Sequence, residues 1–422
     1  MPTGLSDRRL TTSSDAASAY LEGADAVLQL RRGALEHLGR ALALDPTFAL
    51  AHAALALLGH ELCAPVDVPR RLQAARMHAR RASSYERSHV DAVARHIEGD
   101  RRALVRHLQA YPDDALLLAA AVPTIAFAGV TQVPEDAWWI VESCTGARPT
   151  TWFHAGLLAF VRQEQGRFDE ALDLATLSLE QRPGSGHAAH ARAHVHYETG
   201  DHRAGLDWID AWMATDGAET ENMAHYAWHA ALHELSSGDL AAVEDRYRRQ
   251  LTTAHVHGCR SLVDTGSLIW RWRITPGATG VPAVEDAVDV PPETLLRPST
   301  PFVGLHAAVT LCAADDAAGL RSLACWAAAQ PDPVQSSVIA PLATALRLLV
   351  LDQPSACADE LIRLRPQVWR VGGSDAQREV VEETLLTALL RAGRYDEARA
   401  LVDLRLDRRH CRRDEWFREA VS

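Results

Sequence analysis

A helix-turn-helix unit that recurs along the chain is the feature that most constrains its fold. The clearest copy runs from Trp152 to Pro183, with Gly166 at the expected turn between its two helices. Gly200 lies 34 residues after Gly166, and Gly238 begins the next turn after a slightly longer unit. Because glycine permits a tight turn and proline stops a helix, each copy predicts a pair of packed helices. Such pairs bury their apolar faces only against neighbouring pairs.

An interval of 34 residues is the period of tetratricopeptide repeats. Half-units of the same kind occur from Ala34 to Pro46 and from Ala392 to Leu406. The chain has 422 residues, of which 47% are hydrophobic, and alanine and leucine dominate over β-branched clusters. We therefore predict an all-α, tetratricopeptide-like α-α superhelix, which is a solenoid of helix-turn-helix repeats that is open or closed around a central pocket.

A segment rich in proline and glycine interrupts the repeats between Ile274 and Pro301. This composition predicts a long ordered loop or a partly mobile flap. We expect the loop at 274–301 to divide a central and N-terminal repeat block at 1–273 from a C-terminal helical repeat block at 302–422.

The charged residues exclude several classes of function. The formal net charge is -12, and every basic residue is arginine because the sequence contains no lysine. An acidic chain is a poor general binder of nucleic acid, since phosphate neutralisation needs clustered cations. The lack of lysine excludes lysine Schiff-base chemistry and the standard phosphate loop of nucleotide hydrolases. We expect no cofactor and no nucleic-acid partner.

The cysteines and the N-terminus indicate the compartment. The 7 cysteines are scattered and form no C-x-x-C pair, which is typical of reduced thiols. The N-terminal residues lack the apolar stretch of a signal peptide, and no run of about twenty apolar residues follows. These features predict a cytoplasmic protein with no membrane partner, whereas the oligomeric state is not indicated.

Several of the 20 histidines are spaced to form stripes on predicted helices. His190 and His194 stand four residues apart, and His225, His229 and His233 repeat this interval further along. A step of four residues turns a helix by about 40° beyond one full turn, so each set shares a face. Because both helices are expected to be the first of adjacent repeats, the two stripes should lie side by side.

Segments of the repeat core carry motifs that are more specific than an alanine-rich repeat. They are GLLAFVRQEQG from Gly156, HARAH from His190, HYAWHAAL from His225 and DTGSLIWR from Asp264, followed by His306. Together they resemble the tetratricopeptide repeat protein 38 family. The resemblance implies a superhelix of paired helices with a shared inner site, and no established activity comes with it. The chain departs from the family at His187 and Ala224, where the family tends to have tryptophan and asparagine.

Three interpretations of the histidines stay open from the sequence. The rings are structural, or they act as acid and base on a small molecule, or the H-x-x-x-H pairs bind zinc, iron or copper. We predict first a protein that binds a small-molecule ligand, or a protein or peptide partner, in a His/Trp-lined interior. A metal-independent enzyme comes second, and a histidine-ligated metal protein third.

The candidate site residues follow from the same stripes and motifs, and none is assigned to a metal. The candidate catalytic residues are His190, His194, His225, His229, Asp264 and His306. In this set Asp264 orients one histidine ring. The candidate ligand-binding residues are Trp228 and Trp270, which would pack against an apolar group, and Arg271, which would hold an anionic group.

The C-terminal run LRLDRRHCRRDEWFREAV is strongly basic for so acidic a chain. Because charge runs are usually solvated, we expect a solvated last helix that caps the repeats rather than an anion or partner site.

Overall fold

Helices account for every regular element of the residues that the structure describes. The computed structural model describes residues 10–61, 64–100, 102–122, 124–125, 134–147 and 151–420. Within these ranges the only β-type pairing is an isolated bridge between Arg31 and Thr220. The predicted all-α repeat fold is therefore confirmed. None of the described helices combines the length and the apolar character needed to cross a bilayer.

The helices of the N-terminal half pack mostly against the next helix in sequence. They are α1 (Ser14–Gln29), α2 (Ala34–Leu44), α3 (Ala49–Glu61), α4 (Val68–Ala79), α5 (Ser84–Ile97), α6 (Ala103–Ala110), α7 (Ala115–Ala121), α8 (Pro134–Ala147), α9 (Trp152–Glu164), α10 (Phe168–Gln181), α11 (Gly186–Glu198) and α12 (His202–Ala214).

The C-terminal half mixes full-length helices with short ones. They are α13 (Met223–Ser237), α14 (Leu240–Arg246), α15 (Gly258–Arg260), α16 (Ser267–Arg273), α17 (Val284–Ala287), α18 (Pro292–Leu296), α19 (Pro301–Ala313), α20 (Ala317–Ala328), α21 (Ala340–Val350), α22 (Pro354–Leu364), α23 (Asp375–Arg378), α24 (Val380–Arg391), α25 (Tyr395–Arg408) and α26 (Arg412–Glu419). Three short π-helical stretches lie directly next to these helices, at Tyr247–Leu251, Ser261–Gly266 and Gln335–Ile339. A 3₁₀-helix at Arg365–Val371 continues α22.

The chain divides into two compact units, which differ from the predicted domains. The first unit comprises 1–192 and 212–222, and the second comprises 193–211 and 223–422. The expected boundaries at 273 and 301 do not divide the chain, because 223–422 packs as part of one unit. The prediction of a boundary rested on the composition of the Pro/Gly-rich segment alone. The residues immediately before and after this segment belong to the same compact unit.

The turn glycines lie where the repeat pattern predicts them. Gly166 follows α9 with φ +71° and separates it from α10, and α9 packs against α10. Gly200 and Gly238 have φ +74° and +78° at the corresponding turns after α11 and α13. This left-handed backbone region strains other residues, so the glycines at these positions are required by the turn itself.

The segment from Ile274 to Pro301 is only partly a loop. It contains the short helices α17 and α18, the second of which begins at Pro292. Proline is well tolerated in the first turn of a helix, where its missing N–H has no intrahelical partner. The expected long loop therefore also contains short helices, because prolines can start a helix as well as interrupt one.

One helical glycine is required by a close approach of two elements. An ideal Cβ on Gly266 would lie 2.4 Å from Oγ1 of Thr310, a buried residue of α19. The missing side chain thus lets α19 pack against the π-helical stretch Ser261–Gly266, which carries Asp264.

We predict that Gly266→Ala lowers the free energy of unfolding by about 1–3 kcal/mol, because the added methyl overpacks this contact. Urea denaturation measures the change. Gly39→Ala is the matched control, since Gly39 lies inside α2 with nothing within 4 Å of its ideal Cβ. Alanine there should leave the stability unchanged or raise it. Equal effects of the two substitutions would contradict the packing argument.

Candidate functional site

Four of the predicted histidines and Asp264 belong to the second unit and come from four different elements. His194 lies on α11, and His225 and His229 lie on α13. Asp264 lies in the π-helical stretch Ser261–Gly266, and His306 lies on α19. All five side chains are buried, with relative exposures of 0–1%. We call these five residues the histidine cluster.

A hydrogen-bonding contact in the histidine cluster joins His225 to Asp264. Nδ1 of His225 lies 2.9 Å from Oδ1 of Asp264. Asp264 is on a π-helical turn, a rare backbone form that often occurs at functional sites. Guanidinium Nη1 of Arg260 lies 3.5 Å from the other carboxylate oxygen.

Three histidine rings of the cluster pack directly against one another. The centroids of His194 and His229 are 4.5 Å apart, and those of His229 and His225 are 4.8 Å apart, both in edge-to-face geometry. The indole of Trp228 stacks on His225 at 5.3 Å with an interplanar angle of 14°. The structure thus brings His194, His225 and His229 together with Trp228 in one packed group.

Burial decides the charge of the histidines. It lowers the pKa of His194 and of His306 to about 3, and it lowers the pKa of His225 and His229 below the usual value. Neighbouring rings add to this effect at His194 and His229, and the Arg271 cation adds to it at His306. These rings are therefore neutral at pH 7.

Asp264, in contrast to the histidines, is charged at pH 7. Burial alone would raise the pKa of its carboxyl group, but the adjacent His225 and Arg260 hold the pKa below the usual value. The carboxylate is ionised at pH 7 and can only accept hydrogen bonds. It follows that Nδ1 of His225 carries the proton, which makes Nε2 the basic nitrogen of that ring.

We predict that the protein loses stability as the pH falls from about 6.5 toward 3. His194 and His306 have lower pKa values in the folded state than the ordinary histidine value of 6.5, so the unfolded chain binds more protons in this window. Urea denaturation at pH 7.5 and 5.5 should give a lower midpoint at pH 5.5. His306→Asn should reduce this pH dependence, and an unchanged midpoint in the parent protein would contradict the depressed pKa values.

Arg271 and Trp270 are held by other parts of the second unit. Nε of Arg271 donates to Oε2 of Glu383 at 2.8 Å, and Nη2 donates to the carbonyl oxygen of Ala376 at 2.7 Å. Its Nη1 donates to the hydroxyl of Ser267. These contacts use all three guanidinium nitrogens, and the contact of Arg271 with an anionic group stays a prediction. Nε1 of Trp270 donates to Thr384 Oγ1 at 2.8 Å.

His190 belongs to the first unit, although it lies on the same helix as His194. Its ring stacks on Phe160 at 5.3 Å with an interplanar angle of 15°. Both side chains come from the predicted repeat core.

A buried network of arginines and carboxylates lies in the second unit, and the sequence did not predict it. Arg405 pairs with Glu379 at 2.9 Å and with Asp414 at 3.0 Å. Arg413 pairs with Glu383 at 3.0 Å. The network also contains Arg271 and Arg409, which pair with Glu383 and Glu379 respectively. We call these seven residues the arginine network.

The arginine network overturns the expected solvated C-terminal helix. Arg405, Arg409 and Arg413 are 2–5% exposed, so these charges of the basic run are inside the protein. In the sequence these arginines recur every four residues, as they would on one helix face, but α25 ends at Arg408 and α26 begins at Arg412, so the three side chains come from two helices and the turn between them. A solvated helix shows the same spacing, however, so the sequence did not distinguish the two cases.

The first unit contains a second buried histidine group that the sequence did not single out. Oδ2 of Asp114 accepts from Nδ1 of His89 at 2.7 Å, from Nε2 of His107 at 3.0 Å and from the Tyr85 hydroxyl at 2.9 Å. Its other oxygen caps α7 by accepting from Leu117 N–H. These four bonds engage both oxygens of the carboxylate, whereas Nε2 of His89 has no hydrogen-bond partner among the described residues.

Comparison with known proteins adds little to this description. No protein-family model matches the chain. A solved structure of the P58(IPK) TPR domain is similar at 13% identity over 90% of this chain and 89% of that chain, with a TM-score of 0.22. A TM-score this low carries no argument about the arrangement of the helices. The all-α repeat fold rests on the helix pairs and glycine turns described above.

Proposed function

We propose that this helical repeat protein binds a small polar molecule at the histidine cluster and that His225, oriented by Asp264, acts on it as a general base. The carrying observation is the 2.9 Å contact between His225 Nδ1 and Asp264 Oδ1, both buried. An ionised carboxylate fixes the tautomer of a neutral ring, so that Nε2 can take a proton from a bound molecule.

Buried polar atoms near the cluster support a ligand that forms hydrogen bonds. Among the described residues, both ring nitrogens of His306, Nε1 of Trp228 and Oγ1 of Thr310 have no hydrogen-bond partner. Leaving such a group buried and unsatisfied costs roughly 1–3 kcal/mol. A bound molecule with donors and acceptors would recover part of this cost, whereas a purely apolar molecule would not.

Because of the Asp264–His225 pair, we place the hypothesis of a metal-independent enzyme before that of a protein that only binds a ligand or partner. Binding alone does not require an ionised carboxylate behind a neutral imidazole, and burying that charge is costly. General acid-base chemistry near neutral pH uses such an arrangement, because the carboxylate orients the ring and stabilises its protonated form. Binding of a ligand or partner without chemistry, and ligation of a metal by the histidines, are outcomes that the following experiment distinguishes.

The test starts with the purified, untagged protein and elemental analysis for bound metal. A panel of small polar metabolites is then screened by thermal shift at pH 7.5, and each stabilising compound is incubated with the protein and followed by proton NMR. We expect at least one compound to be converted by the parent protein and bound without conversion by His225→Gln.

His257→Gln is the matched control, because His257 and Asp289 form an exposed pair at 3.3 Å in the same unit. It should retain full turnover. Turnover that survives in His225→Gln would overturn the proposal, as would binding of every hit without conversion by the parent protein. Stoichiometric metal that is lost in His225→Gln would replace it with the metal-protein hypothesis.

A further inference from the structure

Two histidines and one glutamate meet in the first unit, away from the histidine cluster. His60 and Glu61 end α3, and His96 lies in the last turn of α5, which packs against α3. Oε1 of Glu61 lies 2.5 Å from Nε2 of His96 and 4.0 Å from Nε2 of His60. The two rings are 5.5 Å apart, nearly perpendicular. One ligand atom from each residue lies within 4.8 Å of the others.

The charge of Glu61 is poorly compensated for a buried carboxylate. Its relative exposure is 7%, and the basic groups within 4 Å of it in the described part of the chain are the two imidazoles. By contrast, Glu234 and Glu383 each pair with an arginine. A buried carboxylate that lacks an arginine partner favours an additional cation.

Two further features favour a cation at this position. The last turns of α3 and α5 carry the partial negative charge of their helix dipoles, and all three residues lie in these turns. The His60 and His96 side chains are 32% and 20% exposed, so an ion can reach them from solvent. The His89, His107 and Asp114 side chains lack this access, since they are 0–1% exposed.

We propose that His60, Glu61 and His96 form a binding site for a divalent transition-metal ion of the zinc type. Imidazole nitrogen and carboxylate oxygen bind such ions at about 2.0–2.2 Å. Ligand atoms that lie 2.5–4.0 Å apart reach this arrangement through small side-chain rotations. Three protein ligands leave the remaining coordination positions to water, as in zinc sites that keep an open position.

The experiment uses the full, untagged chain after treatment with a chelator and measures Zn²⁺ binding by competition with a chromophoric chelator. Co²⁺ absorption reports the ligand set in a parallel titration. We expect one site that His60→Gln and His96→Gln each weaken by at least about 10-fold, since loss of even an outer-shell partner costs that much. Circular dichroism checks the fold of each variant, and the more exposed His60 serves if His96→Gln does not fold.

His37→Gln is the matched control. His37 pairs with Glu22 at 3.0 Å in the same unit, and within the described ranges no second histidine pairs with that carboxylate. Zn²⁺ affinity should be unchanged in this variant. Affinity that is equal in the parent protein, His60→Gln and His96→Gln would overturn the proposal, as would the absence of Zn²⁺ binding in the parent protein.

Discussion

Replacing Arg405 by methionine should lower the free energy of unfolding by about 3–5 kcal/mol, because it leaves buried carboxylates without their cation. Arg405 pairs with Glu379 at 2.9 Å, with Asp414 at 3.0 Å and with Glu383 at 3.8 Å. Glu379 and Glu383 keep ion pairs with Arg409 and Arg413 respectively. The substitution therefore affects Asp414 most, because Asp414 loses its pairing with Arg405. Its side chain is 2% exposed and cannot turn to bulk water.

Arg408→Met provides the comparison on the same helix. The Arg408 side chain is 41% exposed and pairs with Glu382 at 2.7 Å. A solvated ion pair contributes about 0–1 kcal/mol, so this substitution should have little effect. Urea denaturation of the two variants at pH 7.5 measures the difference. Similar losses in both variants would show that burial of the arginine network does not control its contribution to stability.

Asp264→Asn should reduce turnover of any converted compound by about 10²–10⁴-fold, the range that a positioned general base contributes. An asparagine in its place either donates its amide N–H to His225 or offers a neutral acceptor. In both cases the ring loses the ionised partner that fixes Nδ1–H and stabilises the protonated imidazole. Binding should weaken much less than turnover, because the side-chain volume is unchanged.

Asp289→Asn is the control for this substitution. Asp289 pairs with His257 at the surface, where the two side chains are 61% and 65% exposed. Turnover should stay within a factor of about two, since solvated ion pairs contribute little. The assignment of Asp264 fails if Asp264→Asn keeps the kcat of the parent protein. It also fails if Asp264→Asn and Asp289→Asn both lower kcat and the affinity for the compound to a similar extent.

The repeat fold could be predicted because its signals are local. Gly166, Gly200 and Gly238 mark turns at near-constant spacing, and each has the positive φ that the turn needs. His194, His225 and His229 could be named for a similar reason, since an interval of four puts histidines on one helix face. Asp264 and His306 were named from motifs that resemble a known family. The short helices within the segment from Ile274 to Pro301 could not be predicted, because prolines that start short helices look the same in sequence as prolines in a loop.

The arginine network and the His60–Glu61–His96 group could not be predicted, because they join residues that are distant in sequence. Glu383 is 112 residues from Arg271, and His96 is 35 residues from Glu61. No periodicity connects such positions, and a charged residue on a helix is usually solvated. Only the packing of α16 against α24, and of α3 against α5, brings these partners together.

The most direct test of the central claim is a pH titration of the histidine ring nitrogens by ¹⁵N NMR, with His225 assigned from the His225→Gln variant. We predict that the His225 ring stays neutral at pH 7 with its proton on Nδ1, and that Asp264→Asn changes the distribution of this proton between the two ring nitrogens. A His225 ring that titrates near the ordinary histidine value of 6.5, as a solvent-exposed ring does, and that does not respond to Asp264→Asn would contradict a buried, carboxylate-oriented base.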